Sequence, residues 1–195
     1  MAKLKITSTQ IQGLYVVEPT VYEDSRGEFF EAFNVQELRQ HGLTQVFVQD
    51  NEVVSRKGVL RGMHVNINNP QGKLIRVLDG SIFDVIIDLR KNSRTFMQTY
   101  AIELSSQNRK QLYIPKGMGH GYLSLADSRI IFKVTTHFVP NDEVGFYWKS
   151  LKVDWPTEGL EILQNERNMS SPIISEIIER LHILVPKQSN FPLLL

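Results

Sequence analysis

The feature that most constrains the fold of this chain is a rhythm of short apolar runs. From residue 46 to residue 148, stretches rich in β-branched and aromatic residues recur, each closed by Gly, Pro, Asn or Asp. Val46-Phe47-Val48 starts one such stretch. Leu74–Leu78 and Ser81–Leu89 flank Asp79-Gly80, a two-residue hairpin signal. Ser81–Asp88 is apolar at nearly every position, as expected of a strand covered on both faces. Met97–Leu104 is a further strand, and Gln111–Ile114 and Tyr122–Leu125 lie on either side of the turn Pro115-Lys116-Gly117. Arg129–Phe138 and Gly145–Trp148 complete the series. Many short strands at regular spacing predict an all-β sandwich or small barrel.

The flanks fit that frame. Ile11–Glu18 reads as a strand ending at Pro19, and Val21–Phe33 as two short halves around Asp24-Ser25-Arg26-Gly27. Asn34 is placed to cap a short helix over Val35–His41, which Gly42 ends. At 195 residues, one domain over 1–168 is expected, with a helical extension over 169–195 packed on it. In the extension, Ser171 caps and Pro172 opens a helix to about Leu184. Ile173, Ile174, Ile177, Ile178, Leu181 and Leu184 form one apolar stripe, read as a packing surface. Lys187–Leu195 reads as loosely held, with Leu193-Leu194-Leu195 placed to dock on a partner.

Composition narrows the function classes. A net charge of +1 gives no basic field for nucleic acid. With no cysteine there is no disulfide, no thiolate nucleophile and no cysteine-bound zinc. No apolar run is long enough to span a bilayer, and MAKLKITSTQIQG is basic without an apolar core, so no signal peptide is expected. A cytoplasmic protein is the expectation.

Chemistry concentrates between Gln49 and Arg76, QDNEVVSRKGVLRGMHVNINNPQGKLIR. Val59 to His64 and Leu74 to Val77 read as a β-hairpin around Asn68-Asn69-Pro70-Gln71-Gly72, carrying Arg56, Arg61, His64, Lys73 and Arg76. His120 lies in Pro115-Lys116-Gly117-Met118-Gly119-His120. Two readings follow. One is a metal site, because P-x-G-x-x-H matches the second metal motif of the cupin superfamily. The first motif, His-x-His followed by Glu, is His64-Val65-Asn66 with no Glu before the next strand, which leaves two His and too few ligands. The other is metal-free proton transfer, with a His base, Lys73 stabilising an enolate oxygen, and Arg26 and Arg61 holding phosphate. Against the last role stands a solvated charged face.

The matching stretches then point to a family. DSRGEFFEAFN at 24–34, FVQDNEVVSRKGVLRGMH at 47–64, QGKLIRVLDGSIFDVIIDLRKNSRTF at 71–96 and SSQNRKQLYIPKGMGHGYLSL at 105–125 resemble the dTDP-4-dehydrorhamnose 3,5-epimerases. DEVGFYW and VDWP continue the resemblance, which covers roughly residues 9 to 168. It implies a cupin jelly-roll barrel with a few short helices and a homodimer that exchanges N-terminal strands. It implies an isomerase acting on a nucleotide-diphosphate 4-keto-6-deoxysugar, without metal or other cofactor. By resemblance His64 is the base and Lys73 the enolate-stabilising lysine. Arg26, Glu31, Gln49, Asn51, Arg61, His120, Lys133 and His137 fall at substrate-contact positions, with Asp84 orienting His120.

Four positions depart from the pattern. Phe132 stands where the family has its acid tyrosine, and phenylalanine has no proton to transfer. The family's aromatic pair is His137-Phe138, and its aromatic-Gln after the base is Val65-Asn66. The aspartate that partners the base aligns with Glu166. The second reading is therefore a relative that binds a nucleotide sugar without full epimerase activity.

Overall fold

The computed structural model describes residues 3–178. Two antiparallel sheets stack face to face. The six-stranded sheet runs β1 (Leu4–Ser8), β2 (Tyr15–Pro19), β10 (Gln111–Ile114), β7 (Lys73–Asp79), β12 (Ser128–Val134), β5 (Gln49–Ser55). The five-stranded sheet runs β13 (Glu143–Gly145), β6 (Leu60–Asn66), β11 (Met118–Ser124), β8 (Ser81–Asp88), β9 (Thr99–Ser105). A separate hairpin pairs β3 (Tyr22–Asp24) with β4 (Gly27–Phe29). Helices include α1 (Val35–Gln40) and the single-turn α2 (Glu166–Met169).

Two expected hairpins are absent, and the difference shapes the site. β6 and β7 do not pair, because they belong to different sheets, and the same holds for β7 and β8. Asp79-Gly80 is thus a corner by which the chain leaves one sheet for the other. Gly80 sits at φ +76°, and a Cβ there would fall 2.0 Å from the Asp127 carbonyl oxygen, so the corner needs glycine. Turn residues of this kind set a reversal of direction, but not whether the flanking strands hydrogen-bond or face each other.

Alternation within each strand explains the packing. Ile82 and Ile86 of β8 enter the core between the sheets with Ile75, Val77, Leu112 and Ile130. Val85 and Ile87 point the other way, into a cluster with Met63, Val65, Leu123 and Phe146. β8 is apolar at most positions because both faces are covered, with Asp84 and Asp88 its buried exceptions. On the outer face of the six-stranded sheet, Leu38 and Leu43 cover Val17, Leu74 and Tyr113. Asn34 caps α1 as expected, its side chain accepting from the backbone N–H of Gln36 and Glu37.

The expected terminal helix begins later than its sequence signals. Residues 174–178 are helical, and the Ile174 N–H is satisfied by Ser150 Oγ at 3.1 Å. Ser171 instead donates its hydroxyl to the Arg167 carbonyl. Ile174 and Ile177 are buried in the cluster outside the five-stranded sheet, while Ile173 is exposed. Leu181, Leu184 and the tail from Lys187 to Leu195 lie outside the described residues.

One ionic anchor closes the end of β8. Asp88 is fully buried and accepts from Arg90 Nε, Ser93 Oγ and Thr95 Oγ1 at 2.9, 2.5 and 2.7 Å. Burial disfavours its charge, but hydrogen bonds from Arg90, Ser93 and Thr95 win, and its pKa falls to about 2. A depressed carboxyl stabilises the fold above its unfolded pKa, and that contribution fades as pH falls through the folded value. Asp88→Asn should therefore cost about 2 kcal/mol in urea unfolding at neutral pH. The gap to wild type should narrow between about pH 4 and about pH 2.

Candidate active site

A cavity of about 620 Å³ opens between the two sheets. Each wall is built by the inward-facing set of one strand after another. On β6, Met63 and Val65 point outward into the apolar cluster, so His64 and Asn66 point in and line the cavity. Across the gap, β7 buries Leu74 on the outer face and turns Lys73 inward. Gln49 and Asn51 of β5 and Phe132 of β12 line the same wall as Lys73. Arg61, His120 and Tyr122 complete the wall on the side of His64.

His64 and His120 are direct cross-strand partners. His120 Nε2 lies 2.6 Å from Asp84 Oδ1, and Asp84 is fully buried. The pairing holds the His120 ring, as expected. The second oxygen of Asp84 is buried without a hydrogen-bond partner among the described residues. His64 Nε2 lies 2.9 Å from Asn168 Oδ1, and its Nδ1 lies 3.5 Å from Glu143 Oε1. Gly145 is the cross-strand partner of His64, and a Cβ there would crowd His64 Cδ2 at 3.3 Å, so the imidazole rests on bare backbone.

Electrostatics follow from enclosure. Burial lowers the pKa of His64, opposed by Glu143 and by the hydrogen bond to Asn168, with Lys73 and Arg167 lowering it further. Burial likewise pulls the Lys73 ammonium below its ordinary value, against Glu143 and Asp84. Burial raises the Tyr122 phenol, whose oxygen lies 3.0 Å from Ser55 Oγ. The result is a neutral imidazole facing a lysine with a loosened proton. That pair suits removal of a proton next to a carbonyl whose oxygen gains charge.

The cavity unites His64, Lys73, Phe132, Gln49, Asn51, Arg61 and His120. Five expected residues lie outside it, and one of these, Glu166, loses its assigned role. Glu166 is exposed in the only turn of α2, and Asn168, two residues on, contacts His64 instead. Lys133 faces the outer side of its sheet, bound to Asp50 at 2.9 Å and 4.8 Å from the Phe33 ring centroid. It lies outside because alternation sends Phe132 in and Lys133 out. β12 ends at Val134, so alternation no longer governs the next residues; His137 is exposed and Phe138 lines the cavity. Arg26 and Glu31 lie away from it, Arg26 paired with Asp24 and Glu31 with Lys3 at 2.5 Å.

Asn168, Glu143 and Tyr122 are cavity residues that the sequence reading missed. Tyr122 shares the face of His120 two residues away, a signal available from period-two alternation. For Asn168 the available signal was Asn165, whose side chain caps α2 three residues earlier. Among the described residues, no group of three or more His, Asp or Glu gathers as a metal set.

Comparison with known proteins settles the family. The family model described as dTDP-4-dehydrorhamnose 3,5-epimerase matches residues 8–176. The chain belongs to the dTDP-4-dehydrorhamnose 3,5-epimerase family. A family member from Methanothermobacter thermautotrophicus is 42% identical, over 86% of this chain and 94% of its own. One from Salmonella typhimurium is 36% identical, over 89% and 97%. Among solved structures, the Legionella pneumophila dTDP-6-deoxy-D-glucose-3,5-epimerase in complex with dTDP-4-keto-L-rhamnose superposes with a TM-score of 0.86. It is 36% identical and covers 95% of this chain and 100% of its own. The fold is the family's cupin jelly roll. These relatives are named as epimerases, and nothing in them supports a binding-only reading.

Proposed function

We propose that this member of the epimerase family inverts a nucleotide-diphosphate 4-keto-6-deoxysugar at C3, with C5 as a second centre, in deoxysugar synthesis. The observation that carries the reading is His64 facing Lys73 across one cavity from two different sheets. The C4 ketone acidifies the C–H bonds on both neighbouring carbons. His64 takes the proton, the C–H electron pair delocalises onto the C4 oxygen, and Lys73, whose proton burial has loosened, stabilises the negative charge there. Gln49, Asn51, Arg61 and His120 present polar groups to the sugar and diphosphate. The test is incubation with 4-keto-6-deoxysugar nucleotides in heavy water. Deuterium is expected at C3 first, read by mass and NMR, and no uptake at either carbon would overturn the reading.

The nucleotide we assign is the thymidine one that the relatives' names carry. A homodimer is part of the same proposal. Arg26 and Glu31 lie away from their own cavity, and in the proposed dimer they serve a second copy's. The hairpin that carries Arg26 also exposes Tyr22 and Phe29, apolar rings that a neighbour would cover. No helix among the described residues is long and apolar enough to cross a membrane; a cytoplasmic place suits a nucleotide-sugar enzyme. Arg61→Lys and Arg26→Lys keep the charge but lose the planar fork, so each should weaken diphosphate binding about tenfold by calorimetry. If both variants bind as wild type does, these arginines do not hold phosphate.

A further inference from the structure

We propose that Glu143 supplies the negative charge that stabilises protonated His64, a charge that Asn168 at the other ring nitrogen does not bring. The proposal rests on the epimerase reading above for its consequence in catalysis. A base that takes a proton becomes an imidazolium, and the groups around it decide how readily it does so.

The geometry divides the two ring nitrogens between two partners. Asn168 Oδ1 can only accept, so at 2.9 Å it fixes the proton on His64 Nε2. The lone pair is then on Nδ1. That nitrogen faces Glu143 Oε1 at 3.5 Å, too long for a strong hydrogen bond and close enough for a strong Coulomb attraction. The carboxylate thus leaves the lone pair available to substrate, and it favours the ring once the proton arrives. An amide at position 168 orients the ring but adds no charge.

Three elements hold this arrangement. The register of β13 against β6 puts Gly145 opposite His64 and Glu143 opposite Asn66, so the glutamate leans over the ring from two residues away. Arg167 Nη2 donates to the Glu143 backbone carbonyl at 2.6 Å, and its Nη1 lies 3.8 Å from Glu143 Oε2. Arg167 and Asn168 are neighbours in α2, so one helical turn clamps the carboxylate and the imidazole together. The other groups facing His64 are Lys73 from β7, Arg167 itself, and His120 across the β6–β11 pairing. Glu143 is the only carboxylate within ion-pair distance of His64 among the described residues.

Glu143 is a positioning residue, so its test reads His64 directly. His64 is followed by NMR in histidine-labelled protein across a pH series, in wild type, Glu143→Gln, Asn168→Asp and the double variant. Glu143→Gln should lower the His64 midpoint by about one pH unit, and Asn168→Asp should raise it by a similar amount. The double variant should return close to wild type, because it moves the charge from one nitrogen to the other. Glu143 is partly exposed and glutamine is isosteric, so the variant keeps its fold, which thermal unfolding checks. Deuterium uptake by Glu143→Gln should fall about tenfold, with its acid limb moved to lower pH, and Asn168→Asp should restore it. An unmoved His64 midpoint in folded Glu143→Gln overturns the proposal. Absent uptake in wild type would instead overturn the epimerase reading, and the NMR titration would still decide the part of Glu143.

Discussion

His64→Asn should lose deuterium exchange at C3 by about 10²–10⁴-fold while nucleotide binding stays nearly intact. Asparagine retains a polar group near Asn168 but has no nitrogen lone pair basic enough to take a carbon-bound proton. Binding is expected to rest on Arg61, Gln49 and Asn51, cavity residues that the change leaves untouched. Lys73 also remains, yet an ammonium cannot start the reaction, since it has no lone pair to offer until it is deprotonated. Mass spectrometry after incubation in heavy water reads the loss, and calorimetry with the nucleotide reads the binding. Exchange at the wild-type rate would point to another base, and His120, held by Asp84 at 2.6 Å on the adjacent strand, would be the group to replace next.

That result depends on a placement that was only half legible in the sequence. The stretch around His64 and Lys73 stood out because it packs chemistry-bearing residues between strand-like runs. Read locally, those runs made a hairpin, which would have set His64 and Lys73 side by side on one sheet. The structure separates β6 and β7 into two sheets, and that separation puts the two residues on opposite walls of one cavity. Turn chemistry does not carry this information, because a corner between sheets and a hairpin both need Gly and polar residues. β8 was read correctly as covered on both faces, since a run apolar on both alternating sets leaves little other choice. Glu166 failed for a different reason. A one-turn helix has no periodicity to fix its register, so proximity in sequence could not separate Glu166 from Asn168. Likewise His137 and Phe138 follow the end of β12, where alternation stops constraining which side chain turns inward.

Phe132→Tyr should raise net inversion relative to proton exchange, by about 10²-fold where proton return limits the rate. Inverting a carbon needs a base on one face of the sugar and a proton donor on the other. His64 belongs to the five-stranded sheet and Phe132 to the six-stranded one, so the Phe132 ring occupies the wall that a donor would use. Its backbone is fixed between Asn51 on β5 and Ile75 on β7, which leaves the ring's direction unchanged on adding a hydroxyl. In the wild-type chain this ring returns no proton, so exchange should outpace inversion, with C3 the faster carbon. Enolate stabilisation by Lys73 and proton removal by His64 should both be unaffected by the substitution. The comparison is deuterium uptake against optical inversion, measured on the same samples of wild type and variant. Equal inversion in the two proteins would place the donor elsewhere in the cavity, with Tyr122, whose oxygen lies 3.0 Å from Ser55 Oγ, as the hydroxyl to replace.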